Sequence, residues 1–168
     1  MKDITFAIIT ISDRSSQGER PDLSGPALVE YIHSQQGLVK FTSIIPDEIG
    51  RIKSELSFLS ANPEIQIILT SGGTGLSPRD VTPQATLEVA DIIVPGISEY
   101  IRARSIEFTL HAMLSRGVCV VKNQSLIINL PGSPKGALES LQMVEAILPH
   151  AIAQLRNLSN AQDHTLKH

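Results

Sequence analysis

Ile65-Gln66-Ile67-Ile68-Leu69-Thr70-Ser71-Gly72-Gly73-Thr74-Gly75 runs from an apolar stretch straight into three glycines. Ile65 to Leu69 is short, aliphatic and nearly continuous rather than alternating, the pattern of a strand covered on both faces. The glycines permit positive φ and a close approach of backbone to a ligand. Successive N–H groups in such a loop form an anion-binding nest. A tight strand-to-loop turn also fits, although three glycines exceed what one turn needs. The loop is not a Walker A sequence, because no Gly-Lys-Ser/Thr follows. Nor is it the G-x-G-x-x-G dinucleotide fingerprint, because Pro78 stands where the last glycine would be.

Ile4 to Ile11, Val39 to Ile45 and Leu126 to Leu130 have the same strand character. Val118 to Val121 is expected to pair antiparallel with Leu126 to Leu130 through the turn Lys122-Asn123-Gln124-Ser125. Helical patterns lie between. One starts at Ser24-Gly25-Pro26, and another places Ile49, Ile52, Leu56 and Leu59 on one face after Asp47. Thr82-Pro83 and Ser133-Pro134 each read as an N-cap followed by proline in the first turn. The helix begun at Ser133 continues toward Leu155, and Pro149 should kink or split it. The order β-α-β-α-β, then helices, then β-β-α, predicts a three-layer α/β/α fold with a mostly parallel sheet. Residues 1–156 are expected to form one domain, and the polar residues 157–168 a flexible tail.

The chain has 168 residues, 42% hydrophobic and 18% charged, which excludes a disordered protein. Lys plus Arg is 14 against 17 Asp plus Glu; the net charge of −3 argues against a duplex-binding protein. Four Phe, two Tyr and no Trp argue against a stacking platform for single strands, so no nucleic-acid partner is expected. Cys119, the only cysteine, lies in an apolar strand and reads as a buried, inert thiol. His33, His111, His150, His164 and His168 form no metal-binding pattern. The apolar N-terminal run is too short to span a membrane and lacks a signal-peptide cleavage site, so a cytoplasmic protein without membrane partners is expected.

In a parallel sheet, ligands bind beyond the carboxyl ends of the strands. Four polar or Gly-rich segments follow strands here: Ser12-Asp13-Arg14, Pro46-Asp47-Glu48, the 70–75 loop, and Asn129-Leu130-Pro131-Gly132-Ser133-Pro134. Each also fits an ordinary structural role. Asp47 stands where a helix cap would be, and Ser12 and Asp13 fit a polar turn. The Pro131 segment fits either a turn with a cap or a helix N-terminus aimed at a phosphate. In Ser77-Pro78-Arg79-Asp80-Val81-Thr82-Pro83, two prolines stiffen the segment. Arg79 suits a phosphate clamp or a pair with Asp80, and Asp80 suits Mg²⁺ or a surface ion pair.

Taken together, Thr70 through Thr86 resembles the signature of the molybdopterin adenylyltransferase family, which includes MogA-type bacterial enzymes and the G domains of gephyrin and plant molybdenum-cofactor proteins. Ile11-Ser12-Asp13-Arg14, Ile45-Pro46-Asp47-Glu48, Met113-Leu114-Ser115-Arg116 and Leu126 to Lys135 are similar to further family segments, in the family's order. The resemblance implies a MogA-like fold and the transfer of AMP from Mg-ATP to the terminal phosphate of molybdopterin, releasing pyrophosphate. It implies that Asp47 and Asp80 are the catalytic aspartates and hold Mg²⁺. It implies that Ser12, Asp13, Gly72, Gly73, Thr74, Gly75, Arg79, Ser115, Asn129, Pro131, Gly132 and Ser133 bind nucleotide or molybdopterin. A homotrimer and a transient hand-off to a molybdate-insertion protein are implied as well. One domain of this length implies the transfer module without the insertion module of the fused animal and plant proteins. The alternative is a non-catalytic molybdopterin carrier of the MoaB-type branch; the complete Arg79-Asp80-Val81-Thr82-Pro83 continuation favours the active branch. Asp80, in the stiffer segment, is expected to carry more of the rate than Asp47.

Overall fold

A six-stranded sheet in the order β2-β1-β3-β6-β5-β4 forms the middle layer of the computed structural model, which describes residues 1–156. The tail expected over residues 157–168, with His164 and His168, lies outside the described residues. The strands are β1 Thr5–Ile11, β2 Leu38–Ile45, β3 Ile67–Ser71, β4 Ile92–Ile93, β5 Cys119–Lys122 and β6 Ser125–Leu130. β2, β1, β3 and β6 are mutually parallel, while β5 runs antiparallel to both β6 and β4. The mostly parallel α/β/α architecture expected from the apolar runs is therefore present, as is the β5–β6 hairpin.

A single helical turn, α1 Asp13–Ser16, follows β1. Side-chain alternation along the strands divides the core in two. One face carries Phe6, Ile8, Ile67, Leu69, Leu126 and Ile128, packed against α2 Ser24–Ser34, α5 Pro95–Ser105, α6 Pro134–Val144 and α7 Leu148–Leu155. The other carries Ala7, Ile9, Ile68 and Ile127, packed against α3 Ile49–Ser60 and α4 Thr82–Val89. Burial on both faces is why the central strands read as continuous aliphatic runs.

Several boundaries differ from expectation. β2 is an edge strand with Leu38 and Ile44 more than two-fifths exposed, so its run is not covered on both faces. The third strand starts at Ile67 rather than Ile65 and continues through Thr70 and Ser71. β4 has only two residues, and α5 buries only Ser98 and Ile101, patterns too weak to stand out in the sequence. Pro149 does split the last helix: a 3₁₀ turn over Glu145–Ile147 separates α6 from α7. Ser133 caps α6 by accepting from the Gly136 N–H. Thr82 caps nothing; it lies inside α4 and is spent on the loop described below.

The helix begun near Ser24 is capped by Asp22. Its Oδ1 accepts from the N–H groups of Ser24 and Gly25 at 3.0 and 3.1 Å, and its Oδ2 accepts from Thr10 Oγ1 at 2.7 Å. One carboxylate thus joins the end of β1 to the start of α2. Asp22→Ala leaves the buried Thr10 hydroxyl and the helix start without that partner, and should lower unfolding stability by about 1–3 kcal/mol. Urea unfolding checks this; a midpoint equal to wild type would refute it.

Candidate functional site

β1 is followed by β2 on one side and β3 pairs on the other, so the crevice between the ends of β1 and β3 is a topological switch point. A cleft of about 540 Å³ opens there. Its walls include Ser12, Asp13, Asp47, Gly72, Gly73, Arg79, Asp80, Gly132 and Ser133 from the expected set, together with Arg14, Arg20 and Asp22. Thr74, Gly75, Ser115 and Pro131 instead line an adjoining, more apolar cleft of about 270 Å³, which Ser133 also borders; Ile101, Phe108 and Leu114 line it as well. Asn129 lines neither cleft. It is buried in β6, where its amide donates to Thr70 Oγ1 at 2.9 Å and Thr86 Oγ1 at 3.0 Å.

The Gly-rich loop forms the partition between the clefts. Gly72 has φ +114° and Gly73 φ +63°, both in the region that L side chains avoid. A Cβ on Gly72 would lie 2.2 Å from the Ile11 carbonyl oxygen, and one on Gly73 would lie 2.8 Å from Asp47 Oδ1. Glycine is thus required for the loop to press against β1 and to admit the Asp47 carboxylate. A Cβ on Gly75 would likewise come within 3.0 Å of Asp80 Oδ2.

All four loop carbonyls are engaged by the scaffold. Thr82 Oγ1 donates to Gly72 O at 2.9 Å, and the Thr82 N–H to Gly73 O at 3.1 Å. The Arg116 N–H donates to Thr74 O at 2.9 Å, and Arg116 Nε to Gly75 O at 2.7 Å. Among the described residues, the N–H groups of Gly73, Thr74 and Gly75 donate to no protein acceptor. A loop with its acceptors taken and its donors left over is suited to anionic oxygen.

Three aspartates surround this donor set. Asp13 and Asp47 bond reciprocally: the Asp13 N–H donates to Asp47 Oδ2 at 2.9 Å and the Asp47 N–H to Asp13 Oδ1 at 3.0 Å. Asp47 therefore does not cap α3; Glu48 occupies the cap position without a side-chain bond. Arg79 does not pair with Asp80. Its guanidinium reaches Asp13 with two bonds, Nε–Oδ2 at 2.9 Å and Nη2–Oδ1 at 2.7 Å. Asp80 turns back on its own segment, Oδ2 accepting from the Ser77 N–H at 2.9 Å.

The two clustered acids are pushed in opposite directions. The Arg79 hydrogen bonds hold the Asp13 carboxyl below its ordinary range. Burial pushes the Asp47 carboxyl up, and the charges of Asp13 and Asp80 add to this. Elsewhere, burial pushes the Cys119 thiol up to about 12, in keeping with an inert cysteine.

Two residues that hold the loop, Thr82 and Arg116, were not among those expected at the site. Thr82 and Thr86 were detectable, because they occupy the buried stripe of α4 with Ala85 and Val89, where two hydroxyls call for partners. Arg116 ends the Met113-Leu114-Ser115-Arg116 segment that resembles the family, but nothing local points to its role, since its partners are carbonyls distant in sequence.

Because the folded protein holds the Asp47 proton more tightly than the unfolded chain does, this group's contribution to stability declines as pH rises from the ordinary carboxylate value through the raised one. Asp13 behaves oppositely: its contribution is present at neutral pH and is lost as pH falls through its lowered value. Ligand-free Asp47→Asn should therefore be more stable than wild type at neutral pH, with the gap closing in acid. Urea midpoints at both pH values check this, and coincident midpoints at neutral pH would refute it.

Residues 7–152 match the family described as a probable molybdopterin binding domain. The molybdopterin adenylyltransferase of Escherichia coli K12 is 42% identical over 147 residues, covering 86% of this chain and 75% of that protein. The molybdenum cofactor synthesis protein cinnamon of Drosophila melanogaster is 43% identical over 153 residues; the match covers 90% of this chain, which spans only 26% of that relative's length. The crystal structure of the molybdopterin biosynthesis enzyme MoaB from Thermus thermophilus superposes with a TM-score of 0.86 at 43% identity, over 92% of this chain and 97% of that one. The match over nearly the whole described chain agrees with the parallel sheet and the loop at its rim: the protein belongs to the molybdopterin-binding domain family of molybdenum cofactor biosynthesis.

Proposed function

We propose that the protein is a molybdopterin adenylyltransferase: a terminal phosphate oxygen of molybdopterin attacks the α-phosphorus of ATP, the bond from that phosphorus to the α–β bridging oxygen breaks, and pyrophosphate leaves. The observation that carries this reading is the Gly72–Gly75 loop, with four carbonyls bound and the N–H groups of Gly73, Thr74 and Gly75 left to donate. Attack of one phosphate on another gathers negative charge, so the catalyst's work is positioning and neutralisation. The loop amides and Arg79 serve phosphate oxygens; Arg14 and Arg20 add positive charge to the same wall. The adjoining apolar cleft offers Ile101, Leu114 and Phe108 to a ring system, which supports a reading in which the loop divides a ring from its phosphates.

The donor set fits Mg²⁺. Asp47 and Asp80 are hard oxygen donors close enough for Asp80 to raise the Asp47 pKa, and a cation relieves that repulsion. Mg²⁺ usually binds through one or two carboxylates plus substrate phosphates, so Asp47 and Asp80 would hold it. When bound it neutralises the polyphosphate. The Asp13–Asp47 reciprocal bonds fix Asp47, and the Ser77 N–H fixes the Asp80 carboxylate. The competing reading is a non-catalytic pterin carrier of the MoaB-type branch; the Thermus structure shares the MoaB name but is itself described as a biosynthesis enzyme.

The same reading includes a homotrimer; Ile92, Ile93, Leu110 and Met113 leave large apolar side chains in solvent that an interface between copies would cover. It also includes a cytoplasmic location and a hand-off of the adenylylated product to a molybdate-insertion protein. No helix among the described residues is long and apolar enough to cross a membrane.

Incubation with molybdopterin and Mg-ATP should yield adenylyl-molybdopterin and pyrophosphate; bound pterin without either product would establish the carrier instead. In single-turnover AMP transfer, Asp80→Ala should lower the rate by about 100-fold or more, and Asp47→Ala by less. Wild-type rates in both variants would overturn the roles of the two acids.

A further inference from the structure

Arg116 spends its guanidinium on backbone rather than on acid. Nε donates to the Gly75 carbonyl at 2.7 Å and Nη2 donates to the Asp80 carbonyl, while its own N–H holds Thr74 O. The two carbonyls stand on either side of the turn Leu76-Ser77-Pro78-Arg79. Among the described residues no carboxylate pairs with it. Behind it, Arg102 of α5 donates through Nη1 to Gly117 O at 2.9 Å and Ser115 O at 3.4 Å, anchoring the segment that carries Arg116.

The other ties on this turn are poorer anchors. The bond from the Ser77 N–H to the Asp80 carboxylate lies within the turn, so it cannot fix the turn against the scaffold. Arg79 does reach outside, to Asp13, but its side chain is 58% exposed and its donors are the ones a phosphate would take. Thr82 secures only the inner carbonyls, those of Gly72 and Gly73. Among these ties, only Arg116 joins the outer half of the Gly-rich loop to Asp80.

We propose that Arg116 is a positioning residue for Asp80: its planar fork sets the distance between the Asp80 carboxylate and the donor edge of the Gly-rich loop. The kinetic part of this rests on the adenylyl-transfer reading; the geometric part does not. A lysine brings the charge but only a point donor, so it does not reproduce a fork across two carbonyls.

Arg116→Ala and Arg116→Lys test this with two readouts. The first is amide hydrogen exchange of the ligand-free protein. Exchange across residues 75–81 should quicken in both variants, while strands β1, β3 and β6 keep their protection. The second is AMP transfer from Mg-ATP to molybdopterin: kcat should fall about 100-fold, the Mg²⁺ requirement should rise, and the KM for ATP should stay within about threefold. Free guanidinium should restore part of the Arg116→Ala rate. If wild type makes no adenylyl-molybdopterin, the adenylyl-transfer reading fails and the exchange data alone decide the clamp. Wild-type exchange across 75–81 in both variants, or full recovery of exchange and kcat in Arg116→Lys, would overturn the proposal. Should Arg116→Ala fail to fold, Arg116→Lys supplies the same comparison.

Discussion

Each carbonyl from Gly72 to Gly75 has a partner in the scaffold, two on Thr82 and two on Arg116, and this fixes which way the loop can present itself. Backbone amides come with one donor and one acceptor apiece, and a buried group without a partner is costly. Once the acceptors are engaged at the helix α4 side and the Arg116 side, the donors of Gly73, Thr74 and Gly75 are what remains for a ligand. Positive φ at Gly72 and Gly73 is the local condition for this, and the nearness of Ile11 and Asp47 is the reason no side chain is tolerated. Sheet order does the rest by bringing the ends of β1, β3 and β6 beside one another.

Acidic residues at the proposed polyphosphate site look contradictory until their partners are followed. Asp13 is neutralised by the Arg79 fork. Burial, together with the charges of Asp13 and Asp80, pushes the half-buried Asp47 carboxyl up in the ligand-free protein, a repulsion that the proposed Mg²⁺ would relieve. A net charge of −3 is no obstacle to the proposed reaction, because oriented amides and a few placed arginines would meet phosphates without a basic surface.

The parallel core was legible because Ile, Leu and Val fill both faces of β1, β3 and β6, and a short strand that is aliphatic at nearly every position must be covered on both sides to keep those side chains from water. The hairpin and the split at Pro149 followed from local chemistry. The edge position of β2 did not, since its aliphatic composition resembles that of a central strand and only its neighbours reveal the exposed face. Within the site, glycines and aspartates announced themselves by type, and the family resemblance named them together. What stayed hidden were partnerships between distant residues: Arg79 with Asp13 instead of Asp80, Asn129 with Thr70 and Thr86, and Arg116 serving carbonyls 41 and 36 positions away. Spacing along the chain carries no information about such pairs.

Titration of the ¹⁵N-labelled protein with ATP bears most directly on the role of the loop amides. Saturable shifts of the Gly73, Thr74 and Gly75 amide resonances, larger than those of the strand interiors, are the expected result. Unmoved loop amides in a protein that nevertheless binds ATP would show that phosphates are held elsewhere, and would contradict the site described above.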